Sequence, residues 1–203
     1  MGCALHCHRM SVAINAKVAL PPGLDARMVA RAVGRAETEA GALVEIYAEQ
    51  RNVFSTIVGI FGARALAAVS PYEPNPDRFK AQMYFPDLIR RGSHKPVPPR
   101  DSLESKGSLR PWPLQAHYDH EGWYIVWRYL VDPGLAPNPL VVWRVDMAYL
   151  RKADWKYEAS KAGEGGGGRT HTFGVRNPSA TFRDKAVYTR TDYRLVGGKP
   201  VPV

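Results

Sequence analysis

The chain has 203 residues, 45% hydrophobic and 10% aromatic, enough for one domain with a substantial core. Its 28 Lys and Arg outnumber 19 Asp and Glu, giving a formal charge of +9 and a pI near 9.7. That balance points to a polyanionic partner, with nucleic acid the commonest. Two cysteines, Cys3 and Cys7, do not make a disulfide framework. The sequence also shows neither a signal-peptide core nor an apolar run of about 18 residues that would suggest a membrane span, so a cytoplasmic protein is expected.

Residues 1–10 read as a disordered terminus, because Cys3, His6, Cys7 and His8 have no second ligand pair at zinc-finger spacing. Residues 11–20 suit a short strand, ended by Pro21-Pro22-Gly23. A helix is expected from Leu24 to Glu49, where Met28, Val29, Ala32, Val33, Ala36, Ala40, Leu43, Val44 and Tyr47 recur at three- and four-residue spacing. Glu39 lies on the flank of that stripe and could face a site. A more apolar helix follows over Val53–Val69, with Gly59 and Gly62 permitting close packing. Pro71, Pro74 and Pro76 predict a loop.

Strands are expected at Lys80–Ile89 and Ser102–Ser108, joined by a basic connector. Pro111–His120 reads as a short helix or ordered loop. Trp123–Val131 is aromatic and β-branched almost throughout, as in a strand covered on both faces. A loop from Asp132 and a strand over Leu140–Leu150 complete an α/β or α+β domain with a mixed sheet. Residues 11–203 are thus expected to form a single domain, with a core to about 155 and a basic region over about 156–203. The tract Gly163–Gly168 is either a floppy surface loop or one that lets Arg169 and His171 approach a nucleic acid.

The charge is uneven. Residues 21–70 carry five basic and five acidic side chains, whereas 78–113 carry eight against three, as do 160–203. The first basic region holds Phe85-Pro86-Asp87-Leu88 and, seventeen residues after Asp87, Leu103-Glu104-Ser105-Lys106. Glu104 and Lys106 share a strand face, and a return strand could bring Asp87 beside them. Two carboxylates offer oxygen ligands to a hard cation such as Mg²⁺, and a nearby ammonium can steady a phosphate or orient water. Pro76-Asp77 is the other Pro-Asp pair, but it sits in a proline-rich stretch, whereas Asp87 closes a strand-like run. Asp101 is a third acid nearby, readable as a turn residue. Against the metal-site reading stands an ordinary ion pair between Glu104 and Lys106.

Together these residues resemble the signature of the PD-(D/E)XK nuclease superfamily, over roughly Lys80 to Tyr129, and the size and charge resemble a type II restriction endonuclease. The resemblance implies a restriction-endonuclease-like core, a central mixed sheet flanked by helices. It also implies a Mg²⁺-dependent endonuclease for double-stranded DNA, with Asp87 and Glu104 on the metal, Lys106 near the attacked phosphate, and a homodimer. Arg169, His171, Arg176 and Arg183 are expected DNA contacts. A repair or phage nuclease of the same superfamily, or a non-catalytic nucleic-acid-binding protein, fits the same residues. His117-Tyr-Asp-His120 is a competing constellation for acid–base or metal chemistry. Trp123, Tyr124, Trp127, Tyr129 and Trp143 read as core or as base-stacking groups, and Arg128, Arg144 and Arg190 as candidate readers of guanine.

Overall fold

A computed structural model describes residues 11–80, 85–135, 137–159 and 171–203. In chain order its elements are β1 (Val12–Ile14), α1 (Ala26–Gly41), α2 (Glu45–Glu49), α3 (Arg51–Val69), β2 (Tyr72–Pro74), β3 (Leu88–Arg90), β4 (Ser102–Ser108), β5 (Gln115–Ala116), β6 (Gly122–Val131), β7 (Leu140–Leu150), β8 (Trp155–Ala159), β9 (His171–Val175), α4 (Pro178–Phe182), β10 (Ala186–Arg190), β11 (Tyr193–Val196) and β12 (Lys199–Pro202). The fold is α+β. Seven strands form a central sheet in the order β1-β10-β7-β6-β4-β3-β2, antiparallel except for the pair β4 and β6. β10 lies inside this sheet, so the basic C-terminal quarter is partly core. The expected terminus at 1–10, the residues at 81–84, the glycine tract and Arg169 lie outside the described residues.

One face of the sheet is covered by α1 and α3, the other by a small sheet (β5-β9-β8) and α4. The expected helix over Leu24–Glu49 is broken after α1. Its stripe holds as far as Ala40, but a Cβ on Gly41 would lie 2.1 Å from the Asn138 side-chain oxygen, and the chain turns there before α2. Asp25 caps α1 by accepting the Met28 N–H at 2.8 Å. The proline stretch expected as a loop instead supplies the edge strand β2, followed by a 3-10 turn at Pro76–Phe79. Pro111–His120 is an ordered loop containing β5.

α3 is long and apolar enough to cross a membrane by length and composition, contrary to the expectation from the sequence. It is a core helix on one side: Phe54, Val58, Gly59, Gly62, Ala63, Ala65, Leu66 and Ala67 are buried. Its glycines set how closely it approaches the sheet. A Cβ on Gly62 would stand 2.3 Å from the Trp127 indole, and one on Gly107 would stand 2.3 Å from the Ser55 carbonyl oxygen. Trp127, Tyr124, Tyr129 and Trp143 are buried in the sheet's packing and Trp123 is partly so, which makes this tract core and not a stacking platform.

Two polar devices tie the layers together. Asp146, fully buried, accepts from Arg128 Nε at 2.9 Å and from Arg144 Nε at 2.6 Å. The remaining donors of Arg128 reach the carbonyls of Arg110, Trp112 and Pro113, and those of Arg144 reach Phe182 and Arg183. A buried carboxylate survives because every face of it meets a charged donor. These two arginines, expected as possible base readers, are structural. Arg190 is likewise turned inward, with both Nε and Nη2 on Asp192.

The second device is Glu37 of α1, 7% exposed, whose Oε1 accepts the Val142 N–H at 2.7 Å. Burial pushes its carboxyl from 4.5 up to about 7, against the pull of that N–H. A carboxyl raised in the folded state contributes most stability when protonated. Its contribution is complete below about 4.5 and is lost as pH rises through about 7. Glu37→Gln keeps the acceptor and never ionises. It is expected to stabilise the protein at about pH 8 by on the order of 2 kcal/mol, or about 5 °C in melting temperature, and to change little near pH 4.5. Thermal melts of both proteins at the two pH values check this.

Candidate active site

Alternation along β4 puts Ser105 and Gly107 on the helix side and Glu104 and Lys106 on the other. The side is fixed by Ser105, whose hydroxyl donates to the Gly59 carbonyl at 2.7 Å and accepts from Trp127 Nε1 at 2.9 Å. β3 pairs with β4 through Leu88 opposite Leu103, which sets the residue just before Leu88 level with Glu104. That residue is Asp87.

The three predicted residues meet. The Asp87 N–H donates to Glu104 Oε2 at 3.1 Å, and the Ser105 N–H donates to Asp87 Oδ2 at 2.9 Å. Lys106 Nζ donates to Glu104 Oε1 at 2.5 Å. The two carboxylates are thus held side by side, each by the backbone of the other's strand, with one ammonium against the pair. Burial and then the Glu104 charge push the Asp87 carboxyl from 3.8 up to about 7, with Lys106 opposing. Burial alone would lower the Lys106 ammonium, but Glu104 and Asp87 together hold it above its ordinary value, so it stays charged.

Aromatic rings wall the site. Tyr124 lies opposite Glu104 on β6, and its hydroxyl donates to the His120 carbonyl at 3.0 Å. Burial, reinforced by Glu104, Asp119 and Asp87, raises the Tyr124 phenol, which stays neutral. Phe85 stacks on His120 with centroids 4.4 Å apart, and Tyr118 sits on the outer side of His120. Burial holds the His120 imidazole below its ordinary value, and its ring forms part of the wall. Among the described residues there is no cluster of three or more His, Cys, Asp or Glu.

A cleft of about 540 Å³ opens beside the three residues, lined among others by Asn75, Phe85, Pro86, Lys95, Ser102 and Glu121. Pro86 precedes Asp87, and Ser102 is one strand period before Glu104. The alternative acid, Asp77, lines the same cleft but is engaged by Lys80 at 2.5 Å and by Lys95, which hold it below its usual range. Asp101 is a buried turn residue 4.0 Å from Arg90. Glu39 pairs with Arg35 at 2.6 Å on α1, on the opposite face of the sheet.

The donor set fits Mg²⁺ in kind. Asp87 and Glu104 supply hard oxygens, and Mg²⁺ is ordinarily held by one or two carboxylates with water and substrate phosphate completing its shell. Burial first, and the neighbouring Glu104 second, disfavour the ionised Asp87 carboxyl, and a bound cation would offset both. Of the expected nucleic-acid contacts, Arg176 and Arg183 are exposed at the small sheet and α4, Arg176 giving its Nε to the Trp155 carbonyl at 2.9 Å. His171 lies on β9 by its backbone. No family model matches the chain, and neither curated proteins nor solved structures give a match.

Sequence reading missed Tyr124 and the Phe85–His120 stack as parts of the site, because their role depends on a loop returning to β6. The pairing of Arg128 and Arg144 with Asp146 had a signal, three charges inside otherwise apolar strands.

The electrostatics predict opposite effects of two substitutions. Asp87→Asn removes the repulsion and should stabilise the protein at about pH 8 by on the order of 2 kcal/mol, with little effect near pH 4. Lys106→Ala leaves two carboxylates with less compensation and should destabilise it by a similar amount at about pH 8. Melting curves of both variants across pH check the pair of signs.

Proposed function

We propose that this chain is a Mg²⁺-dependent endonuclease that hydrolyses phosphodiester bonds of double-stranded DNA, in the manner of the PD-(D/E)XK nucleases it resembles. The observation that carries the reading is the meeting of Asp87, Glu104 and Lys106 on one face of a mixed sheet, next to residues that line a cleft (Pro86 and Ser102), in a chain of charge +9.

Asp87 and Glu104 would hold the ion. When bound, Mg²⁺ supplies charge stabilisation for the phosphate and acidifies water. Lys106 remains cationic, and its ammonium would steady a phosphate oxygen and orient a water for in-line attack. The water oxygen bonds to phosphorus as one phosphorus–oxygen bond to deoxyribose breaks. The leaving oxygen takes up a proton, and the products are a phosphomonoester and a hydroxyl. Basic residues of the two rich regions, Arg176 and Arg183 among them, would meet the backbone. The resemblance further suggests a homodimer cutting both strands in the cytoplasm.

A second reading has one observation in its favour. Lys106 and Asp87 already satisfy Glu104, so the trio also serves as a structural ion pair in a nucleic-acid-binding protein.

Incubation of purified protein with plasmid and linear duplex DNA separates the two. The nuclease reading expects cleavage with Mg²⁺ and none with a chelator, and a loss of at least about 100-fold in Asp87→Ala and Lys106→Ala. Because the Asp87 carboxyl must ionise to take the metal, the rate should rise with pH through about 7. Binding without any metal-dependent product would favour the second reading.

A further inference from the structure

We infer that the pocket formed by Arg90, Arg91, His94 and Arg100 binds a phosphate group of a nucleic acid. That the phosphate belongs to a substrate strand rests on the nuclease reading. The pocket itself rests on its own geometry.

The pocket has a volume of about 380 Å³ and backs onto the cleft beside the three site residues. The connector after β3 runs between the two hollows. Lys95, Val97 and Pro99 line the cleft, while His94, Pro98 and Arg100 line the pocket, and Pro96 borders both.

The lining is cationic and held in place. Arg90 and Arg100 line it with one carboxylate, Asp101, which lies 4.0 Å from Arg90 Nη1. Arg91 spans the end of α3, donating to the Ala67 and Ser70 carbonyls at 3.2 and 3.0 Å, and lies 3.8 Å from Glu73. The turn is closed by the Ser93 N–H on the Arg90 carbonyl at 3.1 Å. Arg90 and Arg100 are exposed at the rim, and Arg100 makes no side-chain hydrogen bond or ion pair among the described residues. Beside the pocket, the Ser93 hydroxyl and Asp101 Oδ1 are buried without a hydrogen-bond partner. The exposed guanidinium forks of Arg90 and Arg100 suit a tetrahedral oxyanion, to which they can donate together.

The test is binding of fluorescent duplex DNA, with and without a 5′-phosphate, measured without divalent metal at several salt concentrations. The proteins are wild type, Arg100→Ala, Arg100→Lys, the double variant Arg90→Ala with Arg100→Ala, and Arg27→Ala on the outer side of α1. Equal melting temperatures establish that all are folded. The double variant is expected to bind roughly tenfold more weakly and to lose about one unit or more from the slope of log affinity against log salt. Arg100→Lys should keep most of both, and Arg27→Ala should match wild type. A loss confined to 5′-phosphorylated duplex assigns the pocket to a terminal phosphate, and an equal loss on both duplexes assigns it to the backbone. A double variant with wild-type affinity and slope overturns the inference, as does an Arg27→Ala variant that weakens binding as much. Wild type that binds through the pocket but cuts nothing with Mg²⁺ refutes the hydrolase while leaving the pocket standing. Wild type that cuts, with pocket variants that bind unchanged, refutes the pocket alone.

Discussion

Two carboxylates are locked together by reciprocal backbone bonds, and the candidate site follows from that lock. Asp87 gives its N–H to Glu104, and Ser105, the neighbour of Glu104, gives its N–H to Asp87. Neither aspartate nor glutamate can turn away without stranding a backbone donor. The cost appears in the Asp87 carboxyl, driven up to about 7 by burial and by Glu104. One ammonium, Lys106, offsets part of it. A site built to be stable without a ligand would place a second positive charge or a neutral side chain there. An arrangement that keeps two acids in contact fits the approach of a divalent cation.

The lock in turn depends on how closely α3 lies on β4. Gly59 and Gly107 let helix backbone and strand backbone nearly touch, Gly62 makes room for the Trp127 indole, and the Ser105 hydroxyl joins the Gly59 carbonyl to that indole. This anchoring points Ser105 toward the helix and so commits Glu104 and Lys106 to the cleft side. From the other direction, Asp146 gathers Arg128 and Arg144, and the outer donors of Arg128 grip the carbonyls at 110, 112 and 113. The loop that begins there carries Tyr118 and His120 back to Phe85. Buried ion pairs of this kind add little net stability, but losing one partner leaves an uncompensated charge, so they fix which loop packs where.

Much of this was legible from the residues. The limits of β4 and β7 and the body of β6 follow from alternation and β-branching, and the spacing from Asp87 to Glu104 left room for a return strand. What was illegible depended on contacts distant in sequence. Nothing local marks Gly41 as a break, since it is the Asn138 side chain that crowds it. β2 carries a proline and reads as a loop until β3 is beside it. The arginines of β6, β7 and β10 looked like surface cations because a sequence does not say which carboxylate lies across the sheet. The arginine pocket was hidden for a similar reason: its residues come from both ends of a connector whose folded course brings them together.

The central claim is that Asp87 and Glu104 form one cation site whose occupation expels a proton. Titration calorimetry with Mg²⁺, repeated near pH 7 in buffers of different ionisation enthalpy, tests it most directly. The account predicts one ion per chain and release of roughly half a proton on binding. It also predicts that Asp87→Asn binds far more weakly and releases none. Absence of Mg²⁺ binding by the wild type, or equal binding by Asp87→Asn, would contradict it.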